Sequence, residues 1–191
     1  MRKAKRCRWA ETDPFLKEYH DEEWGIPVHD DLKLFEFLIL EGAQAGLNWL
    51  IILKKRNAFR IAFEGFDPEK IASFSSTDVK RLLANKEIIR NRLKISAAVT
   101  NARQFISIQD EFDSFNDYIW QFVGGKPIKH RFRSASSIPD KSRESDRMSE
   151  DLKTRGFKFV GSTICYAFMQ ATGMVNDHVT NCFRYSEVSS R

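Results

Sequence analysis

The chain has 191 residues, 42% of them hydrophobic and 30% charged, with a net charge of +5 and a pI near 9.1. That is enough apolar material for one domain or two small lobes around a proper core, which excludes a disordered chain, and the excess of base over acid permits a nucleic-acid partner. A membrane span is excluded as well, because the longest apolar run, Phe157 to Val175, is broken by Lys158 and Gln170. The basic start, MRKAKRCRW, has no apolar stretch to make it a secretory signal, and an odd three cysteines fit a reducing cytoplasm, so a cytoplasmic protein is expected.

From Arg8 to His29 the sequence is dense in turn formers and aromatics, with Trp9, Phe15, Tyr19 and Trp24 either packing a core or lining a pocket, and Asp13-Pro14 marks a helix start. Asp30 or Asp31 is placed to cap a helix from about Leu32 to Gly46 that is apolar on most sides and therefore central. Glu41 is the anomaly in it. It continues the Leu34, Leu38 stripe, so a carboxylate stands where an aliphatic side chain belongs, and either a backbone N–H, an arginine or something outside the chain must compensate it. Gly42 and Gly46 beside it leave room for another backbone or a flat ligand.

A second helix is expected over Leu47 to Phe63 with Trp49 near its start, another from Phe66-Asp67-Pro68, and a third capped by Ser76 or Thr77. Asp78 to Phe105 reads as helix, short basic turn, helix, a hairpin that could offer backbone N–H groups to a phosphate, although any helical hairpin with lysines looks similar. A helix around Phe112 to Phe122 follows, then a loop over Gly124 to Ser145, then final helices opened by Ser149 or Asp146 through LKTRGFKF and GSTICYAFMQATG. Strand signals are few, so the fold is expected to be all-α. Basic residues crowd three places: Arg2, Lys3, Lys5, Arg6 and Arg8; Lys80 to Lys94; and Lys126 to Arg133. Each alone is ordinary solvated surface, but together they favour a polyanion.

His178 and Cys182 are spaced i, i+4, which on a helix would present an imidazole and a thiolate on one face, half of a tetrahedral zinc site. Cys7 and His20 are the distant candidates for the other half, and the four would clasp the termini together; otherwise they are buried thiols and satisfied imidazoles.

The stretches CRWA, YHDEEWG, LEGAQAGLNW, IIRNRLKI, RGFKFVGSTICY and NDHV, in this order from about Cys7 to Cys182, resemble the DNA-3-methyladenine glycosylase I family of base-excision repair. The resemblance implies an all-α helix-hairpin-helix glycosylase-like bundle acting as a single catalytic unit. In it, a helical core over about residues 30–120 carries the hairpin at 88–94, and residues 1–29 with 146–191 form a zinc-tethered terminal lobe. It further implies a monofunctional, monomeric enzyme on double-stranded alkylated DNA, releasing 3-methyladenine and leaving an abasic site. Site residues carry over by position. Structural zinc falls to Cys7, His20, His178 and Cys182. Catalysis falls to Glu41 and Tyr19; base binding to Glu41, Trp49, Tyr19, Trp9 and Trp24; DNA binding to Arg90, Arg92 and Lys94. Asn48 departs from the pattern, since some members place Ser there. The chemistry suits these types. N3-methylation gives adenine a positive charge and makes it a good leaving group, so the site needs aromatic faces for a flat cation and a carboxylate for its charge and exocyclic amine. Two other classes remain at this stage: a DNA-binding hairpin protein without catalysis, and an N-glycosidase acting on RNA or free nucleosides.

Overall fold

Helices in this chain begin where a short polar side chain can accept from a free backbone N–H. A computed structural model describes residues 5–189, so Arg2 and Lys3 of the first basic cluster lie outside the described residues. A 3-10 turn over Arg8–Glu11 leads to α1 (Pro14–Glu22), where Asp13 accepts from Phe15 N at 2.9 Å. α2 (Asp31–Gln44) is capped by Asp30, α3 (Trp49–Ala62) by Asn48 and α4 (Pro68–Ala72) by Asp67. Asn48 therefore does what a serine would do there, since both are strong N-caps. α5 (Ser76–Ala84) is opened by Ser75 in a reciprocal box with Asp78, one residue ahead of the expected cap. α6 (Arg92–Phe112), α7 (Phe115–Ile119), α8 (Arg143–Thr154), α9 (Ser162–Ala171) and α10 (Phe183–Ser189) complete the described chain.

α2 is the centre. Every residue from Leu34 to Glu41 is buried, and the helix packs on α3, α6, α7 and α9, which is why it reads apolar on nearly all sides. Gly42 matters for that packing: a Cβ there would meet the Cβ of Phe159 at 3.6 Å, so the chain after α8 crosses α2 one residue past Glu41. Gly173 is obligatory. Its φ is +70°, and a Cβ would stand 2.3 Å from the backbone of Ile26, where the end of α9 runs against the segment that carries Trp24.

The structure corrects three expectations. α8 starts at Arg143 under a Ser142 cap, ahead of Asp146 or Ser149, because its buried face alternates serines with Met148 and Leu152 and so hides its periodicity. Those serines are satisfied locally: Ser149 Oγ donates to Val160 O at 2.7 Å. The helix also stops at Thr154 rather than continuing through LKTRGFKF, since Gly156 and Phe159 both take positive φ. Finally, the supposed loop after α7 contains a short strand, β1 (Ile128–Lys129), which pairs in parallel with β2 (Val175–Asn176) in the register Ile128 to Val175. It was illegible because a two-residue strand has no period.

Candidate active site and metal cluster

The ends of α2, α3 and α9, with α1 and the turn before it, enclose a cavity of about 580 Å³. All five aromatic and acidic residues expected at a base site line it: Trp9, Tyr19, Trp24, Glu41 and Trp49. The rings brace one another. Trp9 meets Trp24 edge-on at 5.1 Å, and Tyr19 lies 5.5 Å from Trp49. Edge-on contacts of this kind fix ring orientation and leave faces free.

Glu41 is 2% exposed, and neither a backbone N–H nor an arginine satisfies it: its Oε2 has no hydrogen-bond partner among the described residues. The Trp49 indole N–H is likewise buried and unpaired. Burial alone pushes the Glu41 carboxyl up to about 8, so in the protein by itself it holds a proton near neutrality. Tyr19 is held well above the usual phenol range, first by burial and then by the charge of Glu41, and stays a donor. An unpaired buried acceptor and donor inside an aromatic cavity are costly to the fold alone, which marks them as waiting for a ligand.

The four candidate metal ligands do meet. One ligand atom from each of Cys7, His20, His178 and Cys182 lies within 4.8 Å of the others, and all four residues are buried. The i, i+4 helix expected for His178 and Cys182 is absent; they sit on the turn between β2 and α10, where Cys182 N donates to Val179 O at 2.7 Å. A turn brings i and i+4 together as a helix does. The Cys182 sulfur lies 3.4 Å from His20 Nε2 and 3.7 Å from His178 Nδ1, and Cys7 Sγ lies 3.7 Å from the same Nδ1. A tetrahedral ion with bonds of about 2.0–2.1 Å to nitrogen and 2.3 Å to sulfur has N···S edges of roughly 3.5 Å, so the cluster fits one. The outward imidazole nitrogens are occupied, His20 Nδ1 by Asp21 at 2.8 Å and His178 Nε2 by the Trp24 carbonyl at 3.0 Å, which fixes the tautomers that turn lone pairs inward. The two thiols pull each other apart in acidity, Cys182 below its usual range and Cys7 above it, so one of the pair is the readier thiolate. These residues could hold a metal ion.

The cluster and the cavity share their framework. Tyr19 precedes His20, Trp9 follows Cys7 by two, and Trp24 carries the carbonyl that orients His178.

The hairpin is present as α5, turn and α6. Ile88 is buried and anchors the turn, Asn91 caps α6, and Arg90 and Arg92 are exposed. Lys94 departs from its expected part. Its ammonium donates to Ala43 O at 2.7 Å and Ala45 O at 2.6 Å, the free carbonyl end of α2, and partial burial lowers its pKa. A lysine committed in this way caps a helix dipole and ties the hairpin to the helix of Glu41, while Arg90 and Arg92 stay exposed on the turn.

The comparisons with known proteins agree with one another. The methyladenine glycosylase family matches residues 9–185. The chain belongs to that family. It is 48% identical over 180 residues to DNA-3-methyladenine glycosylase 1 of Escherichia coli K12, a match covering 94% of this chain and 96% of that protein. A crystal structure of a 3-methyladenine DNA glycosylase I is 50% identical, with a TM-score of 0.91, over 94% of this chain and 98% of the other. A variant of such an enzyme solved in complex with 3-methyladenine is 36% identical, with a TM-score of 0.90, over 93% and 96%. Within the methyladenine glycosylase frame, sequence reasoning missed the α9 wall of the cavity. Tyr166 and Gln170 line it, i and i+4 on one helix, and the signal was available: a glutamine inside an otherwise apolar run.

Proposed function

We infer that this chain is a monofunctional DNA glycosylase that excises 3-methyladenine from alkylated duplex DNA by hydrolysing the bond from the base to C1′, leaving an abasic site. The observation that carries the reading is Glu41, a carboxyl buried in an aromatic cavity with no partner of its own. The extruded base enters between the rings, and Trp49 offers a π face to its positive charge, worth about 0.5 to 2 kcal/mol depending on desolvation. As the cation arrives, Glu41 releases its proton to solvent water and becomes the counter-charge, accepting from the exocyclic amine; guanine would place a carbonyl oxygen there, which a carboxylate repels. Tyr19, kept protonated, donates beside it. Because the methylated base departs as a neutral molecule, water can complete the reaction at C1′ without a strong acid.

Cys7, His20, His178 and Cys182 hold structural zinc in this reading. Two thiolates, two neutral imidazoles and no open position make a closed site, which supplies folding free energy by joining the chain's two ends and has no part in the chemistry. Arg90, Arg92 and the N–H groups opening α6 take the DNA backbone. The enzyme acts as a monomer, and its three buried cysteines, none in a disulfide, suit a reducing cytoplasm; no helix among the described residues is long and apolar enough to cross a membrane.

The test is to incubate the protein with methylated duplex DNA and identify the free bases. Release of 3-methyladenine is the expected result; binding without release overturns the enzymatic reading. Elemental analysis should find one zinc per chain, and Cys182→Ala should lose it and melt lower.

A further inference from the structure

Behind the α9 wall stands another buried carboxylate. Asp177 is 1% exposed, and three donors converge on it: His130 Nδ1 at 2.6 Å on one oxygen, and the Tyr166 hydroxyl and Gln170 Nε2, both at 2.7 Å, on the other. A carboxylate only accepts, so the single hydroxyl hydrogen of Tyr166 is committed to it, and the Gln170 amide has one orientation. Its nitrogen must face Asp177. With its nitrogen committed, the group that Gln170, a lining residue, has left to offer the cavity is its carbonyl oxygen, which has no hydrogen-bond partner among the described residues, and the Tyr166 oxygen has only lone pairs to offer. A glutamine amide free to flip would present donor and acceptor with little preference. Here the polarity of the wall is set from behind.

We propose that Gln170 is a further base-binding residue, its side-chain oxygen accepting a hydrogen bond from the exocyclic amine of the extruded base, and that Asp177 positions it. The inference rests on the cavity being the base pocket. An amino group on a six-membered purine ring has two N–H bonds, so Glu41 and Gln170 can take one each, and two acceptors recognise an amine where one acceptor could be met by many donors. A carbonyl at that ring position would face two oxygens and no donor. Asp177 would thus act on specificity without touching the base.

Gln170→Met keeps the length and removes the acceptor. Binding of free 3-methyladenine and of 3-methylpurine, which lacks the amine, is followed by tryptophan fluorescence, with melting temperature and bound metal as controls. Gln170→Met should weaken 3-methyladenine by about 3- to 10-fold, the worth of one hydrogen bond in a dry pocket, and leave 3-methylpurine within about twofold of wild type. Asp177→Asn, which gives the wall a competing N–H and lets the Gln170 amide turn, should show the same amine-selective loss. Equal losses for both bases in Gln170→Met would mean a purely structural wall, and no loss for either would mean an idle one; each overturns the assignment. If wild type itself binds neither base, it is the base-pocket reading that fails.

Discussion

Two glutamates five residues apart in α2 are buried alike and surrounded quite differently. Glu36, 5% exposed, accepts from Arg56 Nε at 2.8 Å, Arg60 at 2.7 Å and Lys33 at 3.1 Å. Burial pushes its carboxyl up, but the Arg56 and Lys33 contacts outweigh that and hold it down to about 2. Arg56 also grips Glu23 with two bonds of 2.6 and 2.8 Å, so the cluster locks α1, α2 and α3 together. Glu41 meets the same burial and no cation, and goes up to about 8 instead. One residue type on one helix thus serves as a finished joint at one end and as an open demand for positive charge at the other. Burial cannot tell a structural carboxylate from a functional one; the inventory of partners can.

Breaking the joint should have the largest effect. Arg56→Ala leaves Glu36 and Glu23 without their shared guanidinium in a nearly dry site, and should cost about 3 to 5 kcal/mol of stability. Denaturant unfolding measures it, and 3-methyladenine release at a temperature where the variant is folded should match wild type. A fall in release as large as the fall in stability would erase the distinction between the two glutamates.

Glu41→Gln should do the opposite. Losing a charge-assisted contact in a dry pocket should slow excision by roughly 10- to 150-fold, the equivalent of about 1.5 to 3 kcal/mol, while zinc is retained. Stability should improve with pH relative to wild type. The folded carboxyl titrates near 8 and the unfolded one near its ordinary value, so wild type keeps this contribution at low pH and loses it as pH rises between about 5 and 8. The gap in unfolding free energy between Glu41→Gln and wild type should therefore widen across that range; a constant gap means Glu41 is ionised in the empty pocket. By the same logic excision by wild type should rise with pH up to about 8, as the proton to be displaced becomes easier to remove.

Trp49→Ala removes the stacking face and should cost about 1 to 3 kcal/mol of base binding at little cost in zinc content. Lys94→Met leaves the carbonyls of Ala43 and Ala45 uncapped and should cost about 1 kcal/mol of stability, with DNA affinity at a given salt barely changed. Arg92→Ala should lower the slope of log affinity against log salt by about 1, one phosphate contact, equally for all sequences. If Lys94→Met changed that slope and Arg92→Ala did not, their assignments would be exchanged.

The sequence by itself determined most of the helix starts, the four residues that could hold a metal and the residue that did not belong. Short polar caps at Asp13, Asp30 and Asp67 announce helix starts because they act on neighbouring N–H groups, and a carboxylate in an apolar stripe is visible because the stripe has a period. Family resemblance then placed Tyr19, Trp9, Trp24 and Trp49 around Glu41. Only the tertiary structure decided which buried charges are satisfied, since partners come from far along the chain: Arg56 is 20 residues from Glu36, and Lys94 is 51 from Ala43. It alone showed that a lysine in a basic hairpin turns inward, that His178 and Cys182 meet on a turn rather than a helix, and that Asp177 joins His130, 47 positions away, to Gln170 of the cavity wall. Local hydrogen bonds and periodicity are written in short windows of sequence; the pairing of a buried charge is settled by whatever the packed core brings beside it.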